Sequence, residues 1–151
     1  MNIHCIDSQS ALSICREDVE RLVSSFLSWK SIQTDEVTIH FVSKDEISEL
    51  HLNFFQDPTP TDCISFPIDP PGETGDGPSV LGEVFVCPEV ALEYAKANST
   101  CPYRETTLYI IHGLLHLIGF DDISESDAKK MRAEEHSAMV FLEKNKEVLH
   151  A

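Results

Sequence analysis

Positive charge is scarce in this chain. Eleven Lys and Arg stand against 26 Asp and Glu in 151 residues, a formal net charge of −15. Between Asp45 and Ala95 there is no Lys or Arg, against eleven carboxylates. Such a chain repels bare nucleic acid and anionic lipid at long range. The stretch reads first as solvated acidic surface. Long apolar runs are missing too, and none approaches the ~20 residues of a membrane span. The opening MNIHCIDSQSAL lacks the basic start and apolar stretch of a secretory signal. A cytoplasmic protein that does not engage membrane is expected. The five cysteines, at 5, 15, 63, 87 and 101, are odd in number and include no C-x-x-C pair. That excludes zinc-ribbon and thioredoxin spacings and argues for free thiols in a reducing compartment. With six glycines, eight prolines, 42% apolar and 25% charged residues, collagen, coiled coil and wholesale disorder are excluded. The length suits one domain over residues 1–151, large enough to bury a core without disulfide or metal staples.

The remaining pattern is ordered. Asn2 to Asp7 alternates weakly, as an opening strand does. From about Ile14 to Trp29, Cys15, Val19, Leu22, Val23 and Phe26 recur at helical spacing. Glu36 to Val42 alternates as a strand. Ser43-Lys44-Asp45-Glu46 is a capping box for a helix carrying Ile47, Leu50, His51 and Phe54, which must stop before Asp57-Pro58-Thr59-Pro60. Thr61 to Pro67 predicts a short strand, and Asp69 to Val80 (DPPGETGDGPSV) a surface loop. Leu81 to Cys87 is a further strand. Pro88 and Pro102 mark helix starts. The second of those helices, Tyr103 to Ile118, is apolar nearly all round from Leu108 and should be buried. Ser124 caps a last amphipathic helix with Ala128, Met131, Met139 and Leu142. The order β, α, β, α, β, β, α, α, α predicts an α+β fold, a small mixed β-sheet packed by helices.

The chemistry concentrates in His112-Gly-Leu-Leu-His116-Leu-Ile-Gly119-Phe-Asp121-Asp122. Four residues apart on a helix, His112 and His116 present their rings on one face and can grip one metal ion. A glycine three residues on can end the helix and turn the chain back, bringing Asp121 or Asp122 alongside as a third ligand. Three protein ligands leave a position open for water, the catalytic arrangement. The layout is similar to the metzincin signature H-E-x-x-H-x-x-G-x-x-H, with Gly113 at the glutamate and Asp122 at the third histidine. Glycine cannot move a proton, so peptide hydrolysis by that route lacks its base. His4, His40, His51, His136 and His150 read as ordinary.

Three segments together resemble the YbeY family of bacterial rRNA maturation factors. Residues 112–121 match H-G-x-L-H-L-x-G-(Y/F)-D. Thr61-Asp62-Cys63-Ile64-Ser65-Phe66-Pro67 matches T-(D/N)-x-(L/I/V)-S-F-P, and Leu81-Gly82-Glu83-Val84-Phe85-Val86 resembles L-G-(D/E)-(I/V)-x-(I/V). Order and spacing agree over about residues 35–142. The resemblance implies a small mixed sheet with a central buried metal-binding helix, and a single-strand-specific endoribonuclease of rRNA processing and ribosome quality control. It implies Zn2+ at His112, His116 and, in position though not in type, Asp122. Two histidines with one carboxylate is also an iron(II) pattern, so Fe2+ or another divalent ion is the alternative. Thr61, Asp62 and Ser65 are expected to line the cleft as catalytic residues. The family's arginine before the T-(D/N) motif is here Phe55, so the cation suited to a phosphate is missing from that place. Arg104 is the expected substitute for substrate binding, with Lys129, Lys130 and Arg132 as further candidates. Glu83 is a candidate base or supporting carboxylate, and Cys63 and Cys87 read as packing residues.

The expected activity is thus metal-dependent endoribonucleolytic hydrolysis, with rRNA and the small ribosomal subunit as partners, reached directly or through a basic ribosomal protein. A non-catalytic ribosome-assembly factor on the same fold is one alternative. A metal hydrolase of another substrate is the other.

Overall fold

A computed structural model describes residues 1–71 and 77–151; the middle of the expected 69–80 loop, residues 72–76, lies outside the described residues. Four strands, β1 (Asn2–Asp7), β2 (Glu36–Phe41), β3 (Cys63–Pro67) and β4 (Val80–Val86), form one sheet in the order β1-β2-β4-β3. β1, β2 and β4 run parallel, and β3 pairs antiparallel with β4. The described residues also form five helices: α1 (Arg16–Trp29), α2 (Lys44–Phe55), α3 (Pro88–Asn98), α4 (Pro102–Leu117) and α5 (Glu125–Lys144). The fold is α+β with a small mixed sheet, as the element order predicts.

Strand alternation decides which sheet face is dry. Val37, Ile39 and Phe41 of β2 and Leu81, Val84 and Val86 of β4 are fully buried against α1 and α4. The intervening residues point to the other face. There Ile64 joins Val42, Ile47 and Cys87 in a second, smaller cluster, with Phe66 and Phe85 packed against it. Local chemistry sets the helix ends. Ser43 Oγ accepts from the Glu46 N–H at 3.2 Å and Ser124 Oγ from the Asp127 N–H at 3.0 Å, the two predicted caps. α3 and α4 begin instead with Pro88 and Pro102 in the first turn. Thr61 and Asp62 stand ahead of β3 rather than within it, because pairing with β4 begins at Cys63.

α4 crosses the sheet over β3 and β4, packed also by α3 and α5. Its apolar circumference is buried from Tyr109 through Leu117 apart from the two histidines, while Leu108, where the apolar stretch begins, is half-buried. Gly113 allows the close approach: a Cβ there would overlap Val84 and come within 3.0 Å of Cys63 Sγ. That side of α4 faces the sheet, so a glutamate at this position has no room.

Candidate metal centre and cleft

The i, i+4 spacing brings the two imidazoles together, their ring centroids 4.7 Å apart. The chain then turns back as the glycine predicts. Gly119 has φ +107°, its N–H bonds the His116 carbonyl at 3.2 Å, and the Phe120 N–H bonds the Leu115 carbonyl at 3.0 Å. This pair of bonds is the Schellman ending of a helix. The same turn positions the Phe120 carbonyl to accept from His116 Nδ1 at 3.1 Å. It also separates the two aspartates. Asp121 Oδ1 accepts from the Asp122 and Ile123 N–H groups at 2.7 and 3.2 Å, which holds the loop. Asp122 instead faces the histidines, 3.6 Å from His112 Nε2 and 3.8 Å from His116 Nε2. His112, His116 and Asp122 form a group with ligand atoms all within 4.8 Å of one another.

The donor set fits a metal ion by its proton accounting. A carbonyl only accepts, so His116 Nδ1 carries hydrogen and Nε2 a lone pair. His112 Nδ1 meets the Glu135 carboxylate at 2.5 Å, which fixes the same tautomer. The two Nε2 atoms then face each other at 3.2 Å. Two opposed lone pairs at that range call for a proton or a cation between them. Nitrogens each ~2.0–2.1 Å from a tetrahedral ion stand about 3.3 Å apart, and the exposed Asp122 is a few tenths of an ångström beyond comparable reach. Burial opposes charge on His112. The hydrogen bond and charge of Glu135, with Asp62 and Asp122, outweigh it and hold the imidazole pKa above its ordinary value.

Two clefts flank the group. One, of about 250 Å³, is lined by Asp62, Tyr109, His112, Asp122, Arg132 and Glu135, among others. The other, of about 350 Å³, carries Thr61, Ser65, His51, Phe55 and Ile123 beside His112, His116 and Asp122. Thr61, Asp62 and Ser65 therefore do border the histidines, on different sides.

Arg104 does not. It is eight residues before His112, about 12 Å along the helix axis, where Glu143 of α5 takes its guanidinium at 2.9 Å. Among the described residues, Arg132 is the only Lys or Arg lining either cleft, and it makes no ion pair. Lys129 and Lys130 are exposed and line neither. Glu83 pairs with His40 at 2.9 Å and lines neither cleft. Burial pushes the Cys63 thiol well above the usual thiol range and raises Cys87 also, as suits packing residues.

Sequence reasoning missed Glu135 and read His51 as ordinary. A signal for Glu135 was there. Met131, Ala138 and Leu142 are buried on α5 at i, i+7 and i+11, and Glu135 fills i+4 of that stripe. A carboxylate on a buried stripe needs a partner.

An α+β protein with two histidines and one carboxylate at the mouth of two clefts belongs to the class whose donor set suits a single divalent ion with an open position. The family described as Endoribonuclease YbeY matches residues 3–143, and the chain belongs to that family. An Endoribonuclease YbeY of Protochlamydia amoebophila is 42% identical over 142 residues, covering 94% of this chain and 93% of the relative. One of Chlamydia muridarum is 39% identical over 145 residues, covering 95% and 89%. In solved structures, the chain is similar to TM1509 from Thermotoga maritima, known from a solution structure, at 25% identity and TM-score 0.60, covering 97% and 95%.

Proposed function

We propose that this chain, as one domain over residues 1–151, cleaves single-stranded RNA during rRNA maturation and ribosome quality control in the cytoplasm, with one zinc ion held by His112, His116 and Asp122. Family membership carries the activity class, a metal-dependent endoribonuclease of rRNA processing. No described helix is long and apolar enough to cross a membrane. The observation that supports the site is the pair of Nε2 atoms 3.2 Å apart, each with its Nδ1 committed elsewhere. Such an ion, Zn2+ or alternatively Fe2+, would supply Lewis acidity at a phosphoryl oxygen and make a nearby water more acidic.

The chain's own residues would do the rest. Glu135 holds the His112 tautomer. Asp62, on the cleft with His112 and Asp122, can accept a proton from the attacking water. Arg132 is the cation placed to take a phosphate oxygen, the role the sequence assigned to Arg104. Thr61 and Ser65 offer hydroxyls to the strand on the other side. Asp62, Asp121, Asp122 and Glu135 outnumber Arg132 at the clefts. A phosphate can approach only if a bound cation offsets them.

A second reading is a non-catalytic assembly factor reaching the small ribosomal subunit through a basic ribosomal protein. The net charge of −15 favours it. Peptide hydrolysis is disfavoured, because Gly113 packs against Val84 and α4 carries no base at that position. The test is elemental analysis of untagged protein followed by cleavage of single-stranded and duplex RNA with and without chelator. About one zinc per chain with chelator-sensitive cutting of single strands is expected. Metal without RNA cleavage would move the assignment to the second reading.

A further inference from the structure

Two large apolar side chains stand open on the cleft that borders the histidines. Phe55 is 55% exposed and Ile123 is 88% exposed. Single exposed apolar residues are common on surfaces. Two on one cleft, beside a site that would take a nucleic acid, are not explained by the fold.

Phe55 is held in place. It is the last residue of α2, which closes at Gln56 in the left-handed conformation, φ 59°. One turn back, His51 leans on it with ring centroids 5.6 Å apart and a 56° tilt. His51 is itself fixed, its Nδ1 donating to the Thr59 carbonyl at 2.8 Å. The neighbouring Phe54 turns the other way and meets Phe66 edge-on at 4.9 Å. Both rings are more than half exposed, Phe54 at 62%, but they face different ways: Phe54 lies against Phe66, and Phe55 is the one that lines the cleft with the histidines. The hydroxyls of Thr61 and Ser65 line the same space as the ring.

We infer that Phe55, backed by His51 and with Ile123 on the same cleft, is a stacking seat for one unpaired nucleobase next to the phosphate bound at the His112, His116 and Asp122 group. This rests on the reading of the site as one for RNA. A free π-face stacks on an aromatic ring whatever the base, whereas in a duplex both faces of an interior base are covered by its neighbours. The seat therefore selects single strands. The hydroxyls beside it can bond the edge of a base that has no pairing partner. The chain carries no arginine at residue 55, so the contact there goes to the base rather than to the backbone charge.

The experiment is a cycle between protein and strand, read as binding at low salt to zinc-supplied protein. Short 2′-O-methyl single strands are compared with the same strands carrying one abasic position, moved stepwise. For the unaltered protein, one abasic position should weaken binding by about five- to 150-fold, the range for loss of one stacked base. In Phe55→Ala that penalty should vanish, and in Phe55→Trp it should return. Circular dichroism melts check that both variants fold. If Phe55→Ala binds intact strands as tightly as the parent and keeps the same abasic penalty, the seat is refuted while the RNA reading stands. If the parent protein neither binds nor cuts any single strand, the RNA reading fails and takes the seat with it.

Discussion

His112 on α4 and Glu135 on α5 meet across the helix interface, Nδ1 to Oε1, at 2.5 Å. The bond fixes the ring's tautomer and aims its Nε2 at His116 and Asp122. Among the described residues it is the only hydrogen bond between α5 and the His112, His116 and Asp122 group. A carboxylate behind a ligating histidine raises its basicity and fixes its orientation, and losing it typically costs 10–100-fold in metal affinity.

Replacing Glu135 should therefore act on the metal more than on the fold. Glu135→Ala should weaken zinc binding by about 10–100-fold, measured by competition with a chromogenic chelator. Glu135→Gln keeps an oxygen that can accept from Nδ1, so it should recover part of the loss. Equal affinity in all three proteins would show that the contact does not position His112.

His116→Ala should remove bound metal and leave the fold. The ring is partly exposed on the cleft, and among the described residues its only other bonds are to the Phe120 carbonyl and His112. Elemental analysis of untagged protein should read near zero metal while the far-ultraviolet spectrum is unchanged. Retained zinc in this variant would falsify the assignment of the site.

Gly113→Ala should destabilise strongly. Its methyl group would overlap Val84 and crowd Cys63 Sγ in a packed interface. Overpacking of this kind costs about 1–3 kcal/mol, visible as a lower denaturation midpoint at unchanged slope. A variant as stable as the parent would mean that α4 can lift off the sheet freely.

Stability should fall in alkali. Burial raises the Cys5 thiol to about 11, and also raises Cys63, Cys87 and the Tyr109 hydroxyl. Each group is favoured in its neutral form by the fold. The stability they contribute is fully present below their unfolded values, about 9 for thiols, and is lost as pH rises through the folded ones. Cys5 alone corresponds to a loss of at most about 2 kcal/mol by pH 11. Urea unfolding at pH 8 and pH 10.5 measures it, and Cys5→Ala should flatten the slope. Identical pH dependence in parent and variant would show that Cys5 ionises without unfolding the protein.

RNA binding should depend weakly on salt. With Arg132 as the cation on the clefts, few counterions are released per phosphate. The slope of log affinity against log salt should be near −1 or shallower, against about −0.7 per neutralised phosphate for single strands. A slope of −4 or steeper would require a basic surface that the described residues do not offer.

Much of this protein is legible from local sequence. Strand alternation, two serine caps and two first-turn prolines set the order of elements, because each acts within a few residues. The four-residue spacing of His112 and His116 puts their rings on one face of any helix, and Gly119 ends that helix whatever lies around it. Tertiary structure decided what spacing cannot reach. Asp122 rather than Asp121 faces the histidines because Asp121 is spent on two backbone N–H groups of its own turn. Arg132 rather than Arg104 reaches the cleft because α5 packs alongside α4, with its last turn bonded to Arg104 and its middle facing His112. Glu135 and Phe55 join the site through helix packing and the end of α2, at sequence separations of 23 and more from His112. Side chains that far apart in the chain meet only once burial of the two apolar faces has fixed the angles between elements, and no local pattern carries that information.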